Sequence, residues 1–307
     1  MSENIPKLFI ETFSTNVRLK LQQTVSMLRG RVMEGQHVGK QASPVDYVGN
    51  VQAKAPTGRY APLQPQNPDF TRRWVLPVDK DIGPTMLDSF DKLKLATDVT
   101  SQYSAAHAAA AQREWDDRVI AAAFATAQIG DTTGVGLTTE SFDTTKWQIS
   151  DTFKSAASSG LTVAKMIEAK RVMRKAQVPV DTEPRTWVTN SQGESDLLNQ
   201  AQVVSTEFSD KPVMQDGKVS RFLGWDIIYS ERLTSSSNIR QNIAMVKSGM
   251  YLGIWMDIET IMSRRTDLAG APYQIYNMMS SGATRLEPGR LLQVLCADTS
   301  AAADVTP

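Results

Sequence analysis

Apolar positions recur along this chain at two periods, and the changes between them mark its parts. Over residues 14–29, STNVRLKLQQTVSMLR, Val17, Leu21, Val25 and Leu28 return at spacings of four and three. That is the period of a helix with one apolar face. Ser14 or Thr15 offers an N-cap, and Gly30 and Gly35 bracket the end. Residues 45–84 then change character. In VDYVGNVQAK, Tyr47, Val51 and Ala53 share one parity; in FTRRWVLPV, Phe70, Trp74, Leu76 and Val78 share one, with Thr71 and Arg73 on the other. Alternation of period two predicts strands. Between them APTGRYAPLQPQNPD has no helical period, and six of the 14 prolines fall from Pro56 to Pro84. A long excursion without structure is uncommon inside a compact domain, and an isolated hairpin is marginal in water. The pattern predicts an arm that projects and is stabilised by a neighbouring subunit; a surface loop is the alternative.

Residues 100–129 predict a helix ~45 Å long at 1.5 Å per residue, stopped by Gly130. Ser104, Ala108, Ala111, Trp115, Val119, Ala122, Thr126 and Ile129 form one stripe. Ala106, Ala109, Arg113, Asp117, Ile120 and Phe124 lie roughly opposite. The helix is small or apolar on more than one face, with a block of charge, Arg113–Arg118, at its waist. A second helix is predicted over 162–177, with Met166, Ala169, Met173 and Ala176 on one face. RTWVT (185–189) reads as a strand, and Ser191 with Glu194 has the spacing of a capping box. GWDIIYS (224–230) alternates. NIAMVKSGMYLGIWM (242–256) reads as buried strands about a Ser–Gly turn, and three more extended runs follow before a polar tail, TSAAADVTP. Helices and strands in this order make an α+β chain.

Composition narrows the chemistry. Lys plus Arg and Asp plus Glu are both 33 in 307 residues, so the formal charge is zero and lacks the basic excess of a dedicated nucleic-acid reader. One cysteine, Cys296, excludes an intrachain disulfide framework. The N-terminus does not read as a signal peptide, and no run reaches the ~20 apolar residues of a membrane helix. The expectation is a soluble chain made in a reducing cytoplasm, with no membrane contact. With only His37 and His107, His/Cys metal sites are not expected, nor is a cofactor. Cys296, inside LLQVLC, is expected to be a buried inert thiol, and His107 a packing or interface residue. GDTTGVG (130–136) follows a helix rather than a strand and lacks the Gly-Lys-Ser/Thr ending of a phosphate loop.

Two clusters are candidates for a role. In the charge block, Arg113–Asp117 and Glu114–Arg118 are i,i+4 pairs, leaving Asp116 over. This predicts a salt-bridge girdle, one that a neighbouring subunit could share. An enzyme using Asp116 or Asp117 in a cleft is the competing reading. On the arm, Lys54, Arg59, Arg72 and Arg73, with Tyr60, Phe70 and Trp74, could meet nucleic acid or acidic patches of a like subunit. Neutral net charge favours the second.

The ordered set of stretches resembles the major capsid protein of tailed bacteriophages, with the Hong Kong 97-type fold shared with encapsulins and herpesvirus capsids. FSTNVRLKLQQTVSMLRGRV is similar to an N-terminal arm, and DYVGNVQAKAPTGRYAPLQPQNPDFTRRWVLPVDKDIGP to an extended E-loop. YSAAHAAAAQREWDDRVIAAAFATA resembles the spine helix of the peripheral (P) domain. VTNSQGESDLLNQ with GKVSRFLGWDIIYSERL resembles the axial (A) domain, and IMSRRTD through LLQVLCAD the closing strands.

The resemblance implies an N-terminal arm at 1–44, an E-loop hairpin at 45–85, a P-domain at 86–157, an A-domain at 158–255, closing strands at 256–298 and a tail at 299–307. It implies a non-enzymatic shell subunit that assembles with itself as hexamers and pentamers around double-stranded DNA, bound without sequence specificity. A separate scaffolding protein, a portal and a decoration protein are the implied partners. Assembly would take place in the host bacterial cytoplasm, and the product is a virion capsid. The implied inter-subunit residues are Lys54, Arg59, Tyr60, Arg72, Arg73 and Trp74. Lys54 is an arm lysine, but the sequence establishes no acceptor or catalytic carboxylate for a cross-link. An encapsulin-like compartment is the alternative within the same fold.

Overall fold

The computed structural model describes residues 22–55, 58, 59, 62, 65–87, 100–130, 138–200 and 219–298. The Ser14/Thr15 cap, the first half of the 14–29 helix, Tyr60, most of GDTTGVG and the 299–307 tail lie outside the described residues.

The described strands form three sheets. The first has the order β1 (Met33–Gln36), β13 (Met250–Arg264), β14 (Tyr273–Arg285), β4 (Val78–Leu87). The second, small sheet has the order β2 (Asp46–Val48), β3 (Phe70–Trp74), β5 (Ala127–Ile129), β6 (Thr138–Glu140). The third is the largest: β7 (Gln148–Ile149), β15 (Leu291–Ala297), β12 (Ile239–Val246), β8 (Arg185–Thr189), β10 (Trp225–Tyr229), β9 (Arg221–Phe222), with β11 (Ser235–Ser236) on β12. Its strands are parallel at β8–β10 and β7–β15 and antiparallel at β8–β12 and β12–β15, so the sheet is mixed. Among the described residues four α-helices accompany the sheets: α1 (Thr100–Phe124), α2 (Thr144–Trp147), α3 (Val163–Lys175) and α4 (Ser191–Leu198). The α+β class expected from the pattern holds.

The chain divides into two compact units: Met1–Val25, Lys80–Arg113 and Met256–Met279 form one, and Ser26–Asp79, Glu114–Trp255 and Ser280–Pro307 the other. The main core lies in the second unit. Met166, Ala169 and Met173 of α3 and Leu197 of α4 pack with Trp187, Trp225, Ala244, Val246, Leu292 and Val294 from the third sheet. Trp187 and Trp225 meet edge to face, with centroids 5.5 Å apart. The stripe read from the sequence of α3 is therefore its buried face.

Three expectations need correction. Residues 22–29 are not helical; the backbone N–H groups of Met27 and Leu28 donate to the Asp116 carboxylate instead of to a preceding turn. The long helix ends at Phe124, five residues before the expected stop. Ala127–Ile129 leaves it to pair with β3 and β6, and the Arg285 guanidinium takes the carbonyls of Ala123 and Ala125 at 3.1 and 3.0 Å. The cap of α4 is Asn190, whose side chain accepts from Gly193 N, while Ser191 is already the first helical residue.

Burial holds a polar surprise in the same core. Lys165 is fully buried, one position off the apolar stripe of α3. Its ammonium donates to the carbonyls of Ser159 (2.8 Å), Gly160 (3.0 Å) and Leu295 (2.9 Å). Burial pulls its pKa below the ordinary lysine value, while Cys296, Asp151 and Asp196 act in the opposite sense. Burial also raises the Asp196 carboxyl, which accepts from Leu161 N at 2.9 Å.

Cys296 is buried, as expected, and burial pushes its thiol up to about 12 from 9.0. The fold thus keeps a proton that the unfolded chain releases. That contribution is complete below the unfolded value and is lost as pH rises toward the folded one, by ~1.4 kcal/mol per pH unit. Lys165, with a lowered value, gives the opposite slope as pH approaches 10.5. Cys296→Ala should therefore remove the cysteine's share, together with its influence on Lys165. The wild-type advantage measured by denaturant unfolding should shrink by on the order of 1 kcal/mol between about pH 8.5 and about pH 10. A pH-independent difference between the two proteins would contradict this.

Candidate inter-subunit surfaces

The waist of α1 is gripped from several sides, but not as the spacing predicted. Glu114 and Arg118 do pair along the helix, at 2.8 Å. Arg113 and Asp117 do not pair with each other. Arg113 donates to Gln22 Oε1 (2.8 Å) and to the Gln23 carbonyl (3.0 Å). Asp117 accepts from Arg232 through both carboxylate oxygens, and this partner holds the Arg232 guanidinium above its ordinary pKa. Asp116, the acid left over in sequence, is fully buried and accepts from Ser26 Oγ (2.5 Å), Met27 N (3.0 Å) and Leu28 N (3.0 Å). Trp115 is buried beside it, with the Arg29 guanidinium 5.0 Å from its ring centroid. The partners of Arg113, Asp116 and Asp117 lie 88 to 115 residues away in sequence, so no local spacing could announce them. The carboxylates anchor backbone and guanidinium groups of their own chain, which is a structural use rather than acid–base work.

His107, on the same helix, is buried and shares a 2.6 Å hydrogen bond with Thr85 Oγ1, a packing role as expected. The C-terminal turn of α1 contains no basic residue of its own. Arg285 on β14 supplies the charge there. It also donates to the Glu140 carbonyl at 3.2 Å and lies 5.2 Å from the Phe142 ring centroid. Sequence reading missed this residue, although its odd parity with the buried Ile275, Asn277, Met279 and Ser281 places it inside.

The arm is a hairpin built on β2 and β3, in the register Asp46↔Arg72, Tyr47↔Thr71, Val48↔Phe70. Directly opposed residues share a face. On one face Arg72 donates to both oxygens of Asp46, at 2.6 and 2.7 Å, and next to this pair Val48 and Phe70 are 58% and 65% exposed. Arg72, then Ser43, hold the Asp46 carboxyl below its ordinary range. Arg72 also lies 5.5 Å from the Trp74 ring centroid. On the other face Tyr47 packs with Val45 and Trp255 about Val75, Tyr251 and Leu286.

The root is pinned. Arg73 is buried against Glu140, and Trp74 is buried. Ala42 and Val75 exchange backbone hydrogen bonds at 3.0 and 2.8 Å, and a Cβ on Gly282 would collide with the Leu76 carbonyl oxygen. The alternation in FTRRWVLPV thus finds extended chain but merges two strands and mixes their faces, since β3 ends at Trp74 and Val78 opens β4 in another sheet. Phe70, Leu76 and Val78 are exposed while Trp74, of the same parity, is buried. Arg73 and Trp74 are engaged within their own subunit; Lys54, Arg59 and Val51, further out, are exposed.

Solved structures with the same fold include phage capsids. The capsid of cyanophage P-SCSP1u superposes with a TM-score of 0.74 at 16% identity, covering 97% of this chain and 96% of that one. A Mycobacterium phage Che8 structure gives 0.71 at 16%, covering 94% and 97%. The capsid of an empty GTA particle gives 0.67 at 13%, covering 96% and 98%. None of the curated proteins matches the chain. At these identities the likeness establishes the fold, which agrees with the Hong Kong 97-type expectation. The sequence itself matches the family model described as "Phage capsid protein" over residues 5–298, nearly the whole chain, and so the chain belongs to that family.

Proposed function

We propose that this structural shell subunit closes into hexamers and pentamers that tile an icosahedral capsid around double-stranded DNA. In this reading the hairpin of 45–85 lies over an adjacent copy, the arm of 1–44 tethers neighbours, and the segments 86–157 and 158–255 serve as P- and A-domains. Residues 256–298 close both. The observation that carries it is the Val48–Phe70 pair, with Val51 beyond, presented to solvent on a hairpin whose root is fixed in its own subunit. Such a face buries its apolar area only against another surface. A second copy, meeting a different patch from the one it offers, generates a ring when the rotation closes.

Lys54 and Arg59 are the contact residues at the outer hairpin, and Arg72 at its flank; Tyr60, outside the described residues, is a further candidate. A scaffolding protein directs closure, with portal and decoration proteins as further partners, in the cytoplasm of the host. The family match favours this reading over an encapsulin-like compartment. Expression with and without a scaffolding partner, followed by negative-stain microscopy and analysis of co-purifying proteins, separates the two. Closed particles that require the scaffold support the phage reading. Scaffold-free shells that carry an enzyme cargo would replace it with the compartment.

A further inference from the structure

The end of the third sheet where β8 and β10 begin gathers arginines from four places in the chain. Arg31 comes from the turn before β1, Arg174 from the last turn of α3, Arg185 opens β8 and Arg221 opens β9. The side chains of Arg31, Arg174 and Arg221 are 44%, 54% and 72% exposed, so all three can be reached from solvent. Two carboxylates stand among them. Asp226 accepts from Arg31 Nη1 at 3.0 Å and lies 3.5 Å from Arg221 Nε. Asp181 accepts from Arg174 Nη2 at 2.9 Å. Four guanidinium groups against these two carboxylates make this end of the sheet positive, although the whole chain is neutral.

Arg185 is the fixed charge at the floor of the cluster. Its guanidinium lies 5.5 Å from the ring centroid of the buried Trp225. On its other side a Cβ on Gly224 would collide with Nη2, and the Gly224 φ of +82° is one that favours glycine. Its Nη1 has no hydrogen-bond partner. Burial lowers its pKa; Arg174 and Arg221 act in the same sense, while Asp181 and Asp226 oppose them. Like charges therefore crowd this site without a carboxylate of its own for Arg185.

We propose that this arginine cluster is the surface on which the subunit meets the phosphate backbone of double-stranded DNA. The inference rests on the reading of the chain as a shell around DNA and adds the residues that touch it. A guanidinium carries five N–H donors in a fixed fork that matches a phosphate. Each exposed arginine spends one nitrogen on a carboxylate, and among the described residues its other donors have no protein acceptor. Exposed ion pairs of this kind are weak, so phosphate oxygens share or replace them at little cost. Arginines drawn from four separate elements form an open surface rather than a pocket, which suits a continuous polyanion. Contacts of this kind position the backbone and read no sequence.

Binding of the unassembled full chain to labelled duplexes of about 30 base pairs tests this, by fluorescence anisotropy at about 50 and about 200 mM salt. One phosphate for each of Arg31, Arg174 and Arg221 predicts an affinity that falls about fortyfold between the two salts. The fall should be equal for two unrelated sequences. Arg174→Gln and Arg221→Gln should each remove one contact and shrink the fall to about twelvefold, with melting unchanged because both side chains are exposed. Arg265→Gln, in the turn between β13 and β14, should leave the fortyfold fall in place. No binding at the lower salt would overturn the proposal, as would a salt dependence unaltered in both cluster variants. So would tighter binding of poly-glutamate than of the duplex, which would assign the surface to an acidic protein. Particle closure, read by microscopy, tests the shell reading separately, so that each can fail without the other.

Discussion

Replacing Arg285 with methionine should lower the unfolding free energy by ~3–5 kcal/mol, in the range for breaking a buried charged network. The guanidinium is fully buried on β14 and donates to the carbonyls of Ala123, Ala125 and Glu140. Methionine matches much of its length but donates nothing, so three carbonyls lose a partner, at ~1–3 kcal/mol for each one left buried and unpaired. Two of them end α1, where the aligned peptide dipoles put partial negative charge that no basic residue of the last helical turn meets. Burial already pulls the guanidinium below its ordinary pKa, so part of the loss is returned as desolvation no longer incurred. Lysine in its place should be intermediate, since one ammonium cannot fork across three carbonyls. Melting of the unassembled subunit should fall by on the order of 10 °C. A change under ~1 kcal/mol would contradict the assignment of Arg285 as the anchor of the helix end.

Phe70→Asp should leave the subunit folded and abolish assembly. Phe70 is 65% exposed at the outer end of β3, so its removal should change subunit stability by no more than ~0.5 kcal/mol. Against a neighbouring copy the same ring is worth ~1.5–3 kcal/mol of buried apolar surface. An aspartate there adds the cost of an unpaired buried charge. The loss recurs in every subunit of a shell, so a modest change per contact becomes a large one for closure. Unchanged circular dichroism and melting, with sedimentation as free subunits or small oligomers, is the expected result. Shells at wild-type yield would show that the hairpin face is not an interface. Trp74→Asp, two turns of the pleat along the same strand but buried, should instead disrupt the fold.

The contrast between these positions shows what could be read from the sequence. Local periodicity identified most elements: the α3 stripe of Met166, Ala169 and Met173 is buried, and the β8 and β10 segments are strands. Periodicity failed where a distant group decides. Nothing near Phe124 ends the helix; Arg285, some 160 residues later, does. Residues 22–29 have apolar helical spacing, yet Asp116 takes their backbone donors and the segment is not helical. In the charge block the i,i+4 rule placed Glu114–Arg118 correctly and Arg113–Asp117 wrongly. A helix-surface pair is worth only a few tenths of a kcal/mol, which a bidentate guanidinium such as Arg232 readily outweighs. The family was legible because it rests on the order of the stretches, whereas the exposure of single arm residues was not. Alternation names two faces without saying which one the rest of the chain covers.

The most direct measurement is cryo-electron microscopy of particles formed by this chain, expressed alone and with a candidate scaffolding protein. Closed icosahedral shells should appear, with density for residues 45–78 of one copy lying across an adjacent copy and Val48 and Phe70 at the contact. A chain that stays monomeric across varied salt and scaffold conditions would contradict the account, as would shells in which the Val48–Phe70 face meets only solvent.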